Sequence, residues 1–410
     1  MPATGLDGMK VSLLLLAAAA AAMAGCTGQE QAAGPDNGAE QATAPTPQQA
    51  REEARSAVVS PLEDDPDVRA FVEPGDRLLF LGDGVTQQMF YTQAAASALL
   101  SLMPDRDLRM FNGGRAGSSA ADAVDWAPDL LSMTQPTVVF VLFGLEEGLA
   151  GRGDPDAAIE RYRGGLRRLL AVINEHESVR QVIVAGPLPA ATLATQVGPP
   201  EGVNALLGQM AETSVTVAGE QQVGYVNLFE FMRQVYIAGN VGDGARMTFE
   251  NGLPTEEGHI VIASVLLAAM GVTAEDLEAI GWSPLPPRRM YRVRQVLAIP
   301  ASAPDEALAA RSRALYNALA VHHERFFRAW RLAGRGEPGP QRQRALAHAD
   351  EAWRQVQRLA RSYFDPAATP AQAPAQPLQV PPHPVADPDE DGEDDTGQAP
   401  EAPQAPQWHR

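Results

Sequence analysis

The sequence predicts a doubly wound α/β domain with a five-stranded parallel sheet, followed by a helical segment. Three observations carry that reading. Between residues 66 and 272 short apolar runs alternate with longer amphipathic ones, the pattern of a parallel sheet covered on both faces by helices. Of the 410 residues 45% are hydrophobic and only 6% aromatic, enough for a sizeable core and too apolar for a wholly disordered chain. The formal charge of -19 is uneven: residues 27–65 hold eight acids against two arginines, and 366–410 hold eight acids against one arginine. A nearly neutral body between solvated ends follows.

In chain order the candidate strands are 77–81, 108–111, 137–143, 181–185 and 224–228. The third is the unbroken run Val138-Val139-Phe140-Val141-Leu142, apolar on both faces as a central parallel strand requires. Helical stretches are expected at 86–103, 119–133, 155–176, 202–219 and 256–270. Five such units make one doubly wound domain, whose ligand site belongs at the carboxyl ends of the strands.

Both ends of the chain have their own character. Lys10 precedes Leu13-Leu14-Leu15-Leu16 and an alanine run to Met23, too short for a membrane span and suited to a signal-peptide core. It closes in Met23-Ala24-Gly25-Cys26, which resembles a bacterial lipobox with Met23 in place of the usual leucine. That resemblance implies a lipid on Cys26, the only cysteine, and export to the cell envelope, outer membrane or periplasm-facing. Met9 offers a second plausible start beside Met1. Residues 27–65 read as a flexible tether and 366–410 as a disordered acidic, proline-rich tail. One cysteine excludes a disulfide framework, and the acidic balance excludes a nucleic-acid footprint.

Residues 273–304 are expected to be a proline-punctuated connector, opened by a capping box at Thr273. From 305 to 365 the pattern is helical again. Leu315, Leu319, His322, Phe326 and Trp330 form one apolar stripe, and 341–364 a second amphipathic stretch. The stripe needs a surface, either the α/β domain or a partner. His323-Glu324 begins like a zinc motif, but Phe327 stands where the second histidine belongs, so no metal site is expected there.

Four motifs follow predicted strands or precede the last helix. They are Gly82-Asp83-Gly84-Val85-Thr86, Asn112-Gly113-Gly114-Arg115-Ala116-Gly117-Ser118, Gly144-Leu145-Glu146-Glu147, and Glu250-Asn251-Gly252-Leu253-Pro254-Thr255-Glu256-Glu257-Gly258-His259. In order and position they resemble the four blocks of the SGNH (GDSL-type) esterase and lipase family, over about half of the chain. The resemblance implies a flavodoxin-like three-layer α/β/α sandwich and a hydrolase ancestry without a cofactor. It also places the family's functional positions. The nucleophilic serine corresponds to Gly84, the first oxyanion donor to the Gly117 amide, and the second donor, an asparagine, to Glu146. The orienting acid corresponds to Glu250 and the general-base histidine to Leu253; with one residue deleted before Pro254, Asn251 takes the acid position and the histidine is absent. Nucleophile, base and oxyanion amide are therefore all replaced, which points to a degenerate site and to a binding or scaffolding role.

Substitutes are weighed beside that reading. Thr86 carries a hydroxyl two residues on, Ser118 with Ser119 suits a helix N-cap, and His259 is either a hydrogen-bonding helix residue or a relocated base. His176 is expected to face solvent. Asp83, Glu146, Glu147 and Glu250 all fall at strand ends, where they are structural acids, a hard-cation site or a carboxylate pair for glycosidic chemistry. An active hydrolase of acyl esters or acetylated glycans using relocated residues stands as the alternative function.

Overall fold

Apolar runs that read as strands pair into one all-parallel sheet in the order β2-β1-β3-β4-β5. The strands are β1 (Arg77–Gly82), β2 (Arg109–Gly114), β3 (Val138–Leu142), β4 (Gln181–Ala185) and β5 (Gly224–Val226). The computed structural model describes residues 71–190, 202–240, 247–248, 253–297, 305–334 and 340–364. The expected signal peptide with Cys26, the tether, the tail, Glu250 and Asn251 lie outside the described residues.

The helices are α1 (Gly84–Gln87), α2 (Phe90–Leu102), α3 (Ala120–Thr134), α4 (Leu145–Ala150), α5 (Pro155–Asn174), α6 (Val203–Glu220), α7 (Leu228–Asn240), α8 (Glu256–Ala269), α9 (Ala274–Ala279), α10 (Pro287–Val296), α11 (Glu306–Gly334) and α12 (Pro340–Phe364). In one helical layer α3 packs on α5 and α5 on α6; in the other α2 packs on α8 and α11. This is the three-layer α/β/α arrangement expected from the sequence, with a helical C-terminal region. All five residues of β3 are buried, in keeping with its unbroken apolar run.

Three local differences have physical causes. The helix expected over 86–103 is broken, because Met89 is left-handed at φ 69°. The Asn112 side-chain amide also takes the Thr86 carbonyl at 2.7 Å, the acceptor that a continuous helix would use for residue 90. The stretch expected as a connector contains α10, because Pro287 occupies the first helical turn, where its missing N–H costs nothing. Arg289 then ties α10 to α8 through Glu256 and Glu257 at 2.5 and 2.6 Å, while Met290 and Val293 are buried. Short α4 and the α7 segment were not legible as separate helices.

The C-terminal stripe buries against this same chain. Leu315, Leu319, His322, Phe326 and Trp330 are all buried. Phe326 meets Phe111 of β2 at 5.1 Å between ring centroids, and Trp330 meets Trp126 of α3 at 5.2 Å. β2 is a sheet edge, and an open edge presents unpaired backbone groups. His322 answers part of that need, with Nε2 3.2 Å from the Met110 carbonyl and Nδ1 3.0 Å from the Ala349 carbonyl of α12. Burial holds this imidazole's pKa down to about 4, so it is neutral and donates from one nitrogen at a time. Residues of α11 and α12 thus share one apolar core with the strands.

Candidate functional site

The strand order reverses direction at β1, whose neighbours are β2 and β3, and such a switch point opens a crevice at the carboxyl ends. Register brings these ends level, since Gly82 pairs with Gly114 of β2 and with Leu142 of β3. The three segments that follow therefore converge. Their approach is close enough to demand glycine: a Cβ on Gly114 would stand 2.1 Å from the Gln87 amide nitrogen, and one on Gly82 2.4 Å from the Leu142 carbonyl oxygen.

Asp83 is buried and caps α1, its Oδ1 accepting from the Val85 N–H at 3.0 Å. The Glu146 backbone N–H also donates to it. Burial, and then the neighbouring Glu146 charge, push its pKa up to about 7. It supports the turn from behind, as a structural acid.

The turn's amides have an occupant. Glu146 Oε2 accepts from the Gly117 N–H at 2.8 Å and, more loosely, from the Gly84 N–H at 3.3 Å. Gly117 reaches this geometry at φ 74°, in the left-handed region where glycine is favoured. Positions 84, 117 and 146 are thus brought together. The sequence reading had Glu146 in place of a donor asparagine; the structure adds that its carboxylate itself sits on the two backbone donors. A Cβ on Gly84 would stand 2.5 Å from Glu146 Oε1, so a side chain at 84 and this Glu146 conformer exclude one another.

Glu147 lies beside them on α4. Its Oε1 accepts from the Ala120 N–H at 3.2 Å, at the start of α3, while its buried Oε2 has no hydrogen-bond partner among the described residues. Burial, then the charge of Asp83 and lesser contributions from Asp122 and Glu146, push its pKa to about 8. Three of the four acids expected at the strand ends therefore do converge, and Glu250 lies outside the described residues. Each has an oxygen on a backbone N–H group: Asp83 on Val85, Glu146 on Gly84 and Gly117, and Glu147 on Ala120. Among the described residues no group of three His, Cys, Asp or Glu side chains is placed to hold a metal ion.

The candidate substitutes are committed elsewhere. Thr86 is fully buried, with Oγ1 2.9 Å from the Tyr91 hydroxyl, so it faces the interior and is no surface nucleophile. His259 is also fully buried; its Nε2 lies 2.8 Å from Gln88 Oε1 and its ring stacks on Tyr91 at 6.0 Å. Burial lowers its pKa to about 3, and Nδ1 has no partner among the described residues. It is a neutral packing histidine, not a base at the cleft.

Ser119 alone caps α3, in a capping box with Asp122. Ser118, expected to share that cap, instead accepts from the Trp126 indole N–H at 3.1 Å. His176 is half-buried and bonded to Ser178 at 2.9 Å, a correction to the solvent-facing expectation. Leu253 is partly buried against the core. Two residues at the mouth escaped sequence reasoning. Gln87 accepts from the Ala116 N–H at 2.6 Å, and Trp126 bridges Ser118 to Trp330. Neither carries a local signal, because their partners come from other segments.

No protein-family model and no curated protein matches this sequence. Solved structures do match. A gut microbial diltiazem-metabolizing enzyme matches at 17% identity and a TM-score of 0.45, over 52% of this chain and 49% of its own. The chain thus spans about half the length of that enzyme. An acetylxylan esterase from Geobacillus stearothermophilus matches at 17% identity and a TM-score of 0.41, over 49% of this chain and 96% of its own. An alpha/beta hydrolase from the metagenome of Lake Arreo, Spain, matches at 19% and 0.41, over 49% and 97%. These likenesses concern the fold; the site is read from its own geometry.

Proposed function

We propose that this chain is a hydrolase-fold lipoprotein of the bacterial envelope that has lost acyl-transfer chemistry and keeps its strand-end cleft as a binding or scaffolding module. The observation that carries the reading is the Glu146 carboxylate on the Gly84 and Gly117 amides. Acyl transfer needs a nucleophile and a base in reach of each other, and free donors where the oxyanion develops. Here position 84 has no side chain, the donors are taken by a carboxylate, and Thr86 and His259 are bonded away from the cleft. Ligands in keeping with such a cleft are acyl esters or acylated glycans.

A colorimetric assay with short p-nitrophenyl esters tests the reading. Turnover by the folded protein is expected to equal that of a heat-denatured control. Turnover that Thr86→Ala or His259→Ala abolishes would establish relocated catalysis and overturn the proposal.

The anchor is part of the same proposal. It rests on Lys10, the apolar run and Met23-Ala24-Gly25-Cys26, and among the described residues no helix is long and apolar enough to cross a membrane. One short acyl chain holds a protein only reversibly, so stable anchoring needs more than one lipid signal. Expressed in a bacterium fed a clickable fatty acid, the chain is expected to take up label and fractionate with membranes. Cys26→Ser is expected to lose both. Label retained in that variant would remove the anchor.

A further inference from the structure

We propose that Glu146 is a pH-operated stopper: ionisation of Asp83 and Glu147 drives its carboxylate off the Gly84 and Gly117 amides and opens the cleft to a ligand's carbonyl oxygen. The inference rests on the reading of the site given above and names how that site is regulated. Its first ground is geometric. Glu146 makes its contacts through Oε2 alone, at 2.8 and 3.3 Å. It is half-exposed, in a mouth where Arg115, Ala116 and Gly117 are exposed. Leaving the amides needs only side-chain rotation into water. The donors would remain, held by the turn after β1 and by the left-handed Gly117.

The second ground is thermodynamic reciprocity. The Glu146 charge makes Asp83 and Glu147 harder to ionise. Coupling between two sites is mutual, so ionised Asp83 and Glu147 weaken the seating of Glu146 by the same free energy. Asp83 cannot move away, because it is buried and caps α1. Glu147 is pinned through Ala120, with its inner oxygen buried. Asp83 and Glu147 are thus held in place, while Glu146 sits beside the exposed mouth.

The other charged or titratable groups around this loop are few among the described residues. Arg115 is exposed and lies near Asp122 at the start of α3, and Asp122 is held ionised by Ser119. Tyr91 of α2, which senses the Asp83 charge, and Tyr162 of α5 are buried, and that burial keeps their hydroxyls neutral. Among the described residues no buried cation stands by to neutralise Asp83 and Glu147 as they ionise.

Amide NMR on the full chain with glycine-selective isotope labelling reads the stopper directly. At neutral to mildly acid pH the Gly117 amide proton is expected downfield, as a donor to carboxylate. It is expected to move upfield as pH rises through the range from about 7 to about 8, where Asp83 and Glu147 ionise, with a smaller shift at Gly84. Glu147→Gln and Asp83→Asn, each keeping the side chain's shape, are expected to weaken or displace the transition. Glu146→Gln is expected to remove the downfield position. A Gly117 resonance that stays flat across that range overturns the stopper, as does a transition unchanged in both the Glu147→Gln and Asp83→Asn variants. Flat resonances with no esterase turnover remove the stopper and keep the loss of chemistry; turnover removes the loss of chemistry by itself.

Discussion

Cutting the chain after residue 304, which removes α11 and α12, is expected to abolish cooperative folding of the α/β domain. The five strands alone suggest a self-contained unit, but the burial says otherwise. Leu315, Leu319, Phe326, Trp330 and Trp353 are buried in the shared core. Each large apolar side chain taken out of water is worth about 1.5–3 kcal/mol. Several together rival the whole stability of a domain, about 5–15 kcal/mol. Their loss would also bare Phe111 and the outer edge of β2, with the Met110 carbonyl left without His322. Circular dichroism melting of a fragment covering 71–304 checks this. The expected result is a broad or absent transition and aggregation, against one sharp transition for the longer chain. A sharp transition within a few degrees of the longer chain would show that the helices are a detachable addition.

Stability is expected to fall as pH rises from about 6.5 to above 8, and Glu147→Gln should blunt that fall. Asp83 and Glu147 titrate at about 7 and about 8 when folded, whereas unfolded carboxylates titrate near about 4. Between those limits the folded state holds more protons, so raising pH favours unfolding, and above both folded values the effect is complete. The histidines act in the opposite sense. His259 and His322 titrate at about 3 and about 4 when folded, against about 6.5 unfolded. Below about 6.5 the unfolded chain binds the extra protons and stability falls as pH falls. Burial also lowers the pKa of His323, so below about pH 6.5 the buried histidines outweigh the two carboxyls, and the maximum is expected near pH 6 to 6.5 on these reference values. Thermal melts at about pH 6.5 and about pH 8.5 test the carboxyl arm. Glu147→Gln should raise the melting temperature at the higher pH by a few degrees, since about 1 kcal/mol moves a domain of this size by about 2–4 °C. A variant that tracks the parent at both pH values would show that Glu147 ionises as freely folded as unfolded.

Much of the site was legible because its parts obey local rules. Strand ends mark where a doubly wound sheet binds ligands, and Gly84 and Leu253 announce by their side chains that neither can attack or accept a proton. The helix starts were legible too, down to the box between Thr273 and Asp276. What was not legible is where hydroxyls and imidazoles point. Thr86 and His259 read equally well as cleft residues or core residues until the partners Tyr91 and Gln88 are seen.

By itself the sequence determined the alternation of strands and helices, the neutral middle between acidic ends, and the absence of a nucleophile at position 84. All three follow from side-chain type and short-range periodicity. Only the tertiary structure decided what fills the cleft and what completes the core. Glu146 meets amides 62 and 29 residues away, and His322 meets a carbonyl 212 residues away. Periodicity tells which face of an element is apolar. It does not tell which distant backbone group will stand opposite a given carboxylate once the strands align, and that alignment set the Glu146 carboxylate on the Gly84 and Gly117 amides.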